Sequence, residues 1–405
     1  MSADPGATPV AARALAPDLA RGGMLLLIAL ANVHYYLYDR PVGQHGYPAR
    51  VDGVDRLVAV LQMCLVDGRA YPLFGFLFGY GVVQLAWRRG AVGLPVTAVT
   101  RLVRRRGRWM IMIGMLHGVL LWPGDIVGAY GLLAVLMAGL LVSGTDRRLL
   151  GTGIVGVVLV TLLYVGSTLP VPGGMRSLLP SMIIAAPGLA LAARAVEWVG
   201  VGLLAQAFGV FAAVALGARA ARRRLLDEPE RHRRLLRRLA VLGIPAAALG
   251  GLPLALITAG VWTSAPTPVL LVAGGLHALS GYAGGLGYAA GFGLLAVRIA
   301  RRGGPRAVAG AVQACGKRSL SCYLAQSVAF VPLLPAWTLG LGAHARLWQA
   351  SLIGLGAWLV ILVIAALSDR AGYRGPAETL LRRLTYGRPR GAVSVEVPGN
   401  AGHRA

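Results

Sequence analysis

Apolar runs alternate with short polar segments along nearly the whole chain. They occupy residues 19–38, 71–87, 109–122, 125–142, 149–168, 194–216, 239–262, 269–297, 319–337 and 347–367. Most approach the roughly 20 residues that carry a helix across a bilayer, and the run at 109–122 is short. The pattern predicts an all-α, polytopic integral membrane protein of about ten transmembrane helices. Residues 1–18 read as a disordered cytoplasmic lead, 19–367 as the membrane domain and 368–405 as a basic cytoplasmic tail. Between the first two runs, Val54, Leu57, Val58, Leu61 and Leu65 fall at helical spacing, which predicts a helix at the interface or dipping into the protein. Glycines at 75, 79 and 81, and again at 281, 285, 287 and 291, give faces for close helix packing.

Composition agrees with this pattern. Of 405 residues, 56% are apolar and 14% charged, against about 25% charged in an ordinary soluble domain. This excludes a soluble enzyme with a polar shell and a disordered tail protein. Basic residues outnumber acids 40 to 15, a net charge of +25, and Lys317 is the only lysine. In a soluble chain that balance would point to nucleic acid. Here the arginines gather at 88–108, 217–238 and 298–318, on loops of one side. The positive-inside rule makes those loops and both termini cytoplasmic, with no nucleic-acid partner. Trp122, Trp262 and Trp337 fall at the opposite span ends, where aromatic belts sit. Cys64, Cys315 and Cys322 form no CxxC and no Cys/His metal spacing, so neither a disulfide nor a metal centre is expected.

Polar groups at membrane depth are costly, so each is a functional candidate. Asn32 and His34 lie in the first run, His117 and Asp125 flank a Pro-Gly turn, and Glu197 and His277 lie in later spans. Asp125 occupies an N-cap position, which a purely structural carboxylate would also fill. Its second reading is to orient His117, which lies about five residues, or roughly 7–8 Å of helical rise, below the turn of the same hairpin. His34 reads either as an interfacial side chain beside Tyr35 and Tyr36 or as a base. Tyr323 and Gln326 share one helix face and could line a cofactor channel or bond neighbouring helices; Ser321 and Ser327 lie nearby.

The stretches DLARGGMLLLIALAN, GRAYPLFGFLFGYG (68–81), RLVRRRGRWMIMIGMLHGVLLWPGDIVGAYGLL (101–133), GKRSLSCYLAQS (316–327) and YRGPAETLLRRLTYG (373–387) occur in this order. They resemble the YeiB-like bacterial inner-membrane proteins, the family catalogued as domain of unknown function 418. That family is similar in architecture to integral-membrane acyltransferases, both of the heparan-α-glucosaminide N-acetyltransferase type and of the type that decorates surface glycans. In the latter a histidine follows LRG by about ten residues. Ten residues past Gly22 this chain has Asn32, with His34 two further on. The pair His117 and Asp125 matches the YeiB-like H…GD pattern instead. The resemblance implies a multi-pass protein of a bacterial plasma membrane that moves an acyl group from cytoplasmic acyl-CoA to an outer-side hydroxyl or amine of a glycan, lipid or metabolite. His117 or His34 would take the acceptor proton and Asp125 would orient it. The basic run with Arg104 and Arg105, together with Lys317 and Arg318, would meet the CoA pyrophosphate, and Tyr323 and Gln326 would line its channel. A transporter or flippase for a small amphiphile is the alternative, and a non-catalytic membrane partner a third reading.

Overall fold

The computed structural model describes residues 14–169 and 174–387. The expectations for 1–13 and 388–405 fall outside them. Every named element among these residues is helical, as the apolar pattern predicts. In chain order they are α1 (Leu15–Val33), α2 (Val54–Leu65), α3 (Ala70–Ala91), α4 (Val96–Leu120), α5 (Ile126–Leu136), α6 (Ala138–Ser143), α7 (Asp146–Ser167) and α8 (Pro187–Glu197). There follow α9 (Gln206–Arg222), α10 (Arg233–Thr258), α11 (Thr267–Arg301), α12 (Ala307–Lys317), α13 (Ser319–Phe330), α14 (Leu347–Arg370) and α15 (Pro376–Tyr386). Among the described residues, seven helical stretches are long and apolar enough to cross a membrane.

Burial separates the centre of the bundle from its rim. The apolar window of α1 is 72% buried, that of α7 only 22% and that of α14 28%. Helix α1 packs against α3, α11, α12, α13 and α14. The rim helices turn bare aliphatic side chains outward, such as Val155, Leu162 and Leu163 on α7 and Val360, Val363 and Ile364 on α14. Such a belt is stable in lipid and costly in water.

Several spans depart from the apolar runs, each for a local reason. The short run at 109–122 belongs to the 25-residue α4, because the arginines at 101–108 are good helix formers and carry the helix on past the apolar part. The run at 319–337 is helical only to Phe330. Pro332 and Pro335 bring no amide hydrogens to a longer helix, and the chain turns back there. Helices α8 and α9 are joined through a π-helical stretch, Trp198–Ala205. The amphipathic stretch before α3 is α2, and the basic tail holds α15, packed against α4 and α13. Trp122 is a core residue rather than part of a belt: it is 3% exposed and stacks on Tyr36 at 4.7 Å.

The small face on α11 meets α3 closely. A Cβ at Gly285 would stand 2.9 Å from the backbone nitrogen of Leu73 and from Pro72, whereas Gly291 has open space beside it. Gly285→Leu is therefore expected to abolish most of the folded yield in detergent, with Gly291→Leu close to the parent. Fluorescence-detected size exclusion of both variants reads this, and equal yields would place the α3–α11 contact elsewhere.

Candidate functional site

The hairpin of α4 and α5 is drawn tight by small residues. A Cβ on Gly114 would strike the Asp125 carboxylate and the backbone of Gly128. With hydrogen there instead, the helices close until His117 and Asp125 meet. Asp125 is fully buried and uses both oxygens. Oδ2 accepts from Gly128 N at 2.7 Å, the N-cap bond, and Oδ1 accepts from His117 Nδ1 at 2.8 Å. A carboxylate can only accept, so the proton of His117 sits on Nδ1 and the lone pair on Nε2. That lone pair faces Ser327 Oγ of α13 at 2.8 Å. Ser327, His117 and Asp125 thus stand as a buried hydroxyl, imidazole and carboxylate in series. Tyr323, one turn earlier on α13, places its ring 5.3 Å from His117 and its hydroxyl on Ile126 N at 3.2 Å. The indole of Trp198 lies over the glycine faces at Gly118 and Gly128, at the start of the π-helical stretch.

A cavity of about 1230 Å³ opens at the arginine-rich end. Nine basic and four acidic side chains line it, with Phe74, Phe78, Tyr130 and Tyr323 at depth. Its lining includes Val127 and Tyr130, in the first turn and a half of α5, and Tyr323, whose ring lies 5.3 Å from that of His117. Of the expected donor-binding residues, Lys317, Arg318 and Tyr323 line this cavity. Arg104 and Arg105 are exposed outside the lining, where Arg106 takes their place. Gln326 points the other way and donates to Leu25 O of α1 at 2.7 Å. Lys317 and Arg318 already pair with Asp369, at 3.2 and 2.9 Å.

A second polar cluster was not legible in the spacing. The segment 34–53 folds back so that His45 Nδ1 donates to Asp67 at 3.0 Å. Arg69 is fully buried, donating to Asp67 O at 2.6 Å and to Ala247 O at 2.5 Å. Its Nη1 also lies 2.9 Å from Nδ1 and 3.2 Å from Nε2 of His277. His34 is buried, donates from Nε2 to His45 O at 3.1 Å and stacks on Tyr47 at 4.2 Å. Asn32 accepts from Tyr71 at 3.0 Å. The structure therefore brings His117 and Asp125 together and sends His34 to a separate group, where it holds a backbone. His45, Asp67 and His277 bring three potential ligand atoms within 4.8 Å of one another. Of this group the sequence singles out His34 and His277 as polar residues within apolar runs, and nothing in the spacing joins them to His45, Asp67 or Arg69.

Comparison with known proteins adds two findings. The chain is 23% identical over 398 residues to the "Uncharacterized protein YxaH" of Bacillus subtilis (strain 168), covering 91% of this chain and 93% of that one. Over residues 220–388 the chain matches the family model described as Protein of unknown function (DUF418), the family that its motifs resemble.

Proposed function

We propose that this DUF418 membrane protein is an acyltransferase that takes an acyl group from a CoA-type thioester and passes it to a hydroxyl or amine arriving from the opposite face. The observation that carries this reading is the basic cavity whose deep end stops beside a Ser–His–Asp series. Arg21 and Arg106 at its wall suit a pyrophosphate, and the aromatic depth suits a pantetheine arm and acyl chain. By the loop-charge rule the arginine-rich end is cytoplasmic, where acyl-CoA is made.

In this reading His117 Nε2 takes the Ser327 proton, and Ser327 Oγ bonds to the acyl carbon. The carbon–sulfur bond breaks, and His117 returns the proton to the departing sulfur. Asp125 holds the imidazole in the tautomer this needs. Tyr323 is the side chain that the acyl group has to pass.

Purified protein incubated with radiolabelled acetyl-, butyryl- and palmitoyl-CoA is expected to take up about one label per chain on Ser327. Arg106→Gln should raise the concentration needed by about tenfold or more, the value of a charge-assisted bond. No label from any of the three thioesters sinks the reading. Movement of a fluorescent lipid across proteoliposomes without CoA would put a flippase in its place.

A further inference from the structure

A serine that attacks a thioester needs a hydrogen-bond donor for the carbonyl oxygen, which gains a negative charge as the new bond forms. The series of Ser327, His117 and Asp125 contains none that is free. Two amides at the start of α5 are already spent, Ile126 N on the Tyr323 hydroxyl and Gly128 N on Asp125.

The turn His34–Tyr36, directly after α1, brings a donor that is not spent. Tyr36 is fully buried, and its hydroxyl lies beside Ser327. That hydroxyl has no hydrogen-bond partner. The ring is held on two sides. It stacks on Trp122 at 4.7 Å and meets the edge of Phe330 at 5.7 Å. Trp122 in turn is fixed to the hairpin, its backbone nitrogen donating to His117 O at 3.0 Å. A buried hydroxyl without an acceptor costs stability, and a phenylalanine would fill the same space without that cost. A rigid donor kept free beside a nucleophile suits an acceptor that arrives only with the substrate.

Arg194 of α8 adds charge to the same place. It is 3% exposed, and its charge acts on the Tyr36 hydroxyl. Its Nε donates to Val119 O at 2.8 Å, and its guanidinium covers the Trp337 ring at 4.1 Å. Nη1 is buried without a partner. Glu197, one turn further on, does not pair with it closely: its two oxygens accept from Ser181 N and Oγ at 2.8 and 2.5 Å. A positive charge in such a setting favours negative charge that appears nearby, and in low dielectric the effect is larger than in water.

We propose that Tyr36 is the oxyanion donor of the Ser327 site and that Arg194 supports it from behind. This rests on the acyl-transfer reading above, to which it adds a catalytic residue. As Ser327 Oγ bonds to the acyl carbon, an electron pair of the carbonyl bond moves onto the oxygen. Tyr36 donates its hydrogen bond to that oxygen and keeps its proton. The pair returns to the carbonyl bond when the carbon–sulfur bond breaks, and the sulfur leaves with the proton that His117 took from Ser327. Arg194 is a positioning residue that acts through Tyr36.

The test uses the full chain in detergent and two reagents for Ser327, the labelled CoA thioesters and a fluorophosphonate. The second needs no CoA site, and its phosphoryl oxygen calls on the same donor as fluoride leaves. Tyr36→Phe is expected to slow labelling by both reagents about 10²–10³-fold, the usual loss for one oxyanion donor. Its thermal midpoint should equal or exceed that of the parent, because the lost hydroxyl had no partner. Arg194→Gln should slow labelling about tenfold, and Arg194→Lys, which keeps the charge, should recover most of it. Labelling of Tyr36→Phe at the parent rate overturns the proposal. So does a slow Tyr36→Phe that also melts well below the parent, since the hydroxyl would then be a structural tie. If the thioesters leave no label on the parent while the fluorophosphonate does, the acyl-CoA reading has failed, and the phosphonylation rates alone decide for or against Tyr36. A parent inert to both reagents overturns both.

Discussion

Asp125→Asn is expected to fold like the parent and to lose about 10³–10⁴-fold in the rate of Ser327 acylation. The two oxygens of Asp125 have different tasks, and Asn can do only one. Its Oδ1 can still cap α5 by accepting from Gly128 N, so the hairpin keeps its turn. The amide nitrogen then faces His117 Nδ1 and donates to it. The imidazole proton moves to Nε2, where it points at Ser327 Oγ. A nitrogen that donates to the serine cannot take its proton. His117→Gln should cost a similar factor, and the double variant no more than either alone, as expected of groups acting as one unit. Single-turnover labelling with a thermal melt of each variant decides it. Full labelling in Asp125→Asn would reduce the residue to a helix cap.

Arg69→Met is expected to destabilise the protein by about 3–5 kcal/mol, the cost of leaving a buried charge without its partner. Arg69 gives hydrogen bonds to the carbonyls of Asp67 and Ala247, and its charge is attracted by the Asp67 carboxylate, which itself is hydrogen-bonded to His45. Methionine fills similar volume but supplies no donor. Adding Asp67→Asn removes the stranded negative charge, so the double variant should recover part of the loss. Detergent unfolding curves of the four proteins in the cycle give the coupling. Additive losses would mean that Arg69 stabilises α10 through Ala247 alone.

The all-helical membrane fold and the His117–Asp125 pair were legible because both are local. Apolar length gives the spans, and a Pro-Gly turn brings residues eight apart into contact. Ser327 stood on the polar stretch of the ninth run, but its alignment with Tyr323 rather than Gln326 depends on which face of α13 meets the hairpin. A single helix does not specify that. The shortness of α13 hid the rest. Because the helix ends at Phe330, Ser327 sits near the outer end of α13, beside the α4–α5 hairpin. The His45 cluster was hidden more deeply. Residues 39–53 belong to no apolar run, and the spacing over 54–65 predicts only a helix at the interface or dipping into the protein, yet the chain folds inward and buries Asp67 and Arg69. Periodicity reports faces of helices and says nothing of where an irregular segment is tucked. Trp122 misled for the same reason: its sequence position marks a span end, but the inward fold of 34–53 covers it.

Both polar clusters are stitched across the boundary of the family match. Ser327 and His277 lie inside residues 220–388, while His117, Asp125, His45, Asp67 and Arg69 lie before them. Neither portion is a transplantable cassette. A chimera that grafts the matched stretch onto a foreign front half imports a serine without its base and a histidine without its guanidinium. Expressed as two pieces, the chain would regain its chemistry only on reassembly, which makes split complementation a direct gauge of whether both clusters have closed.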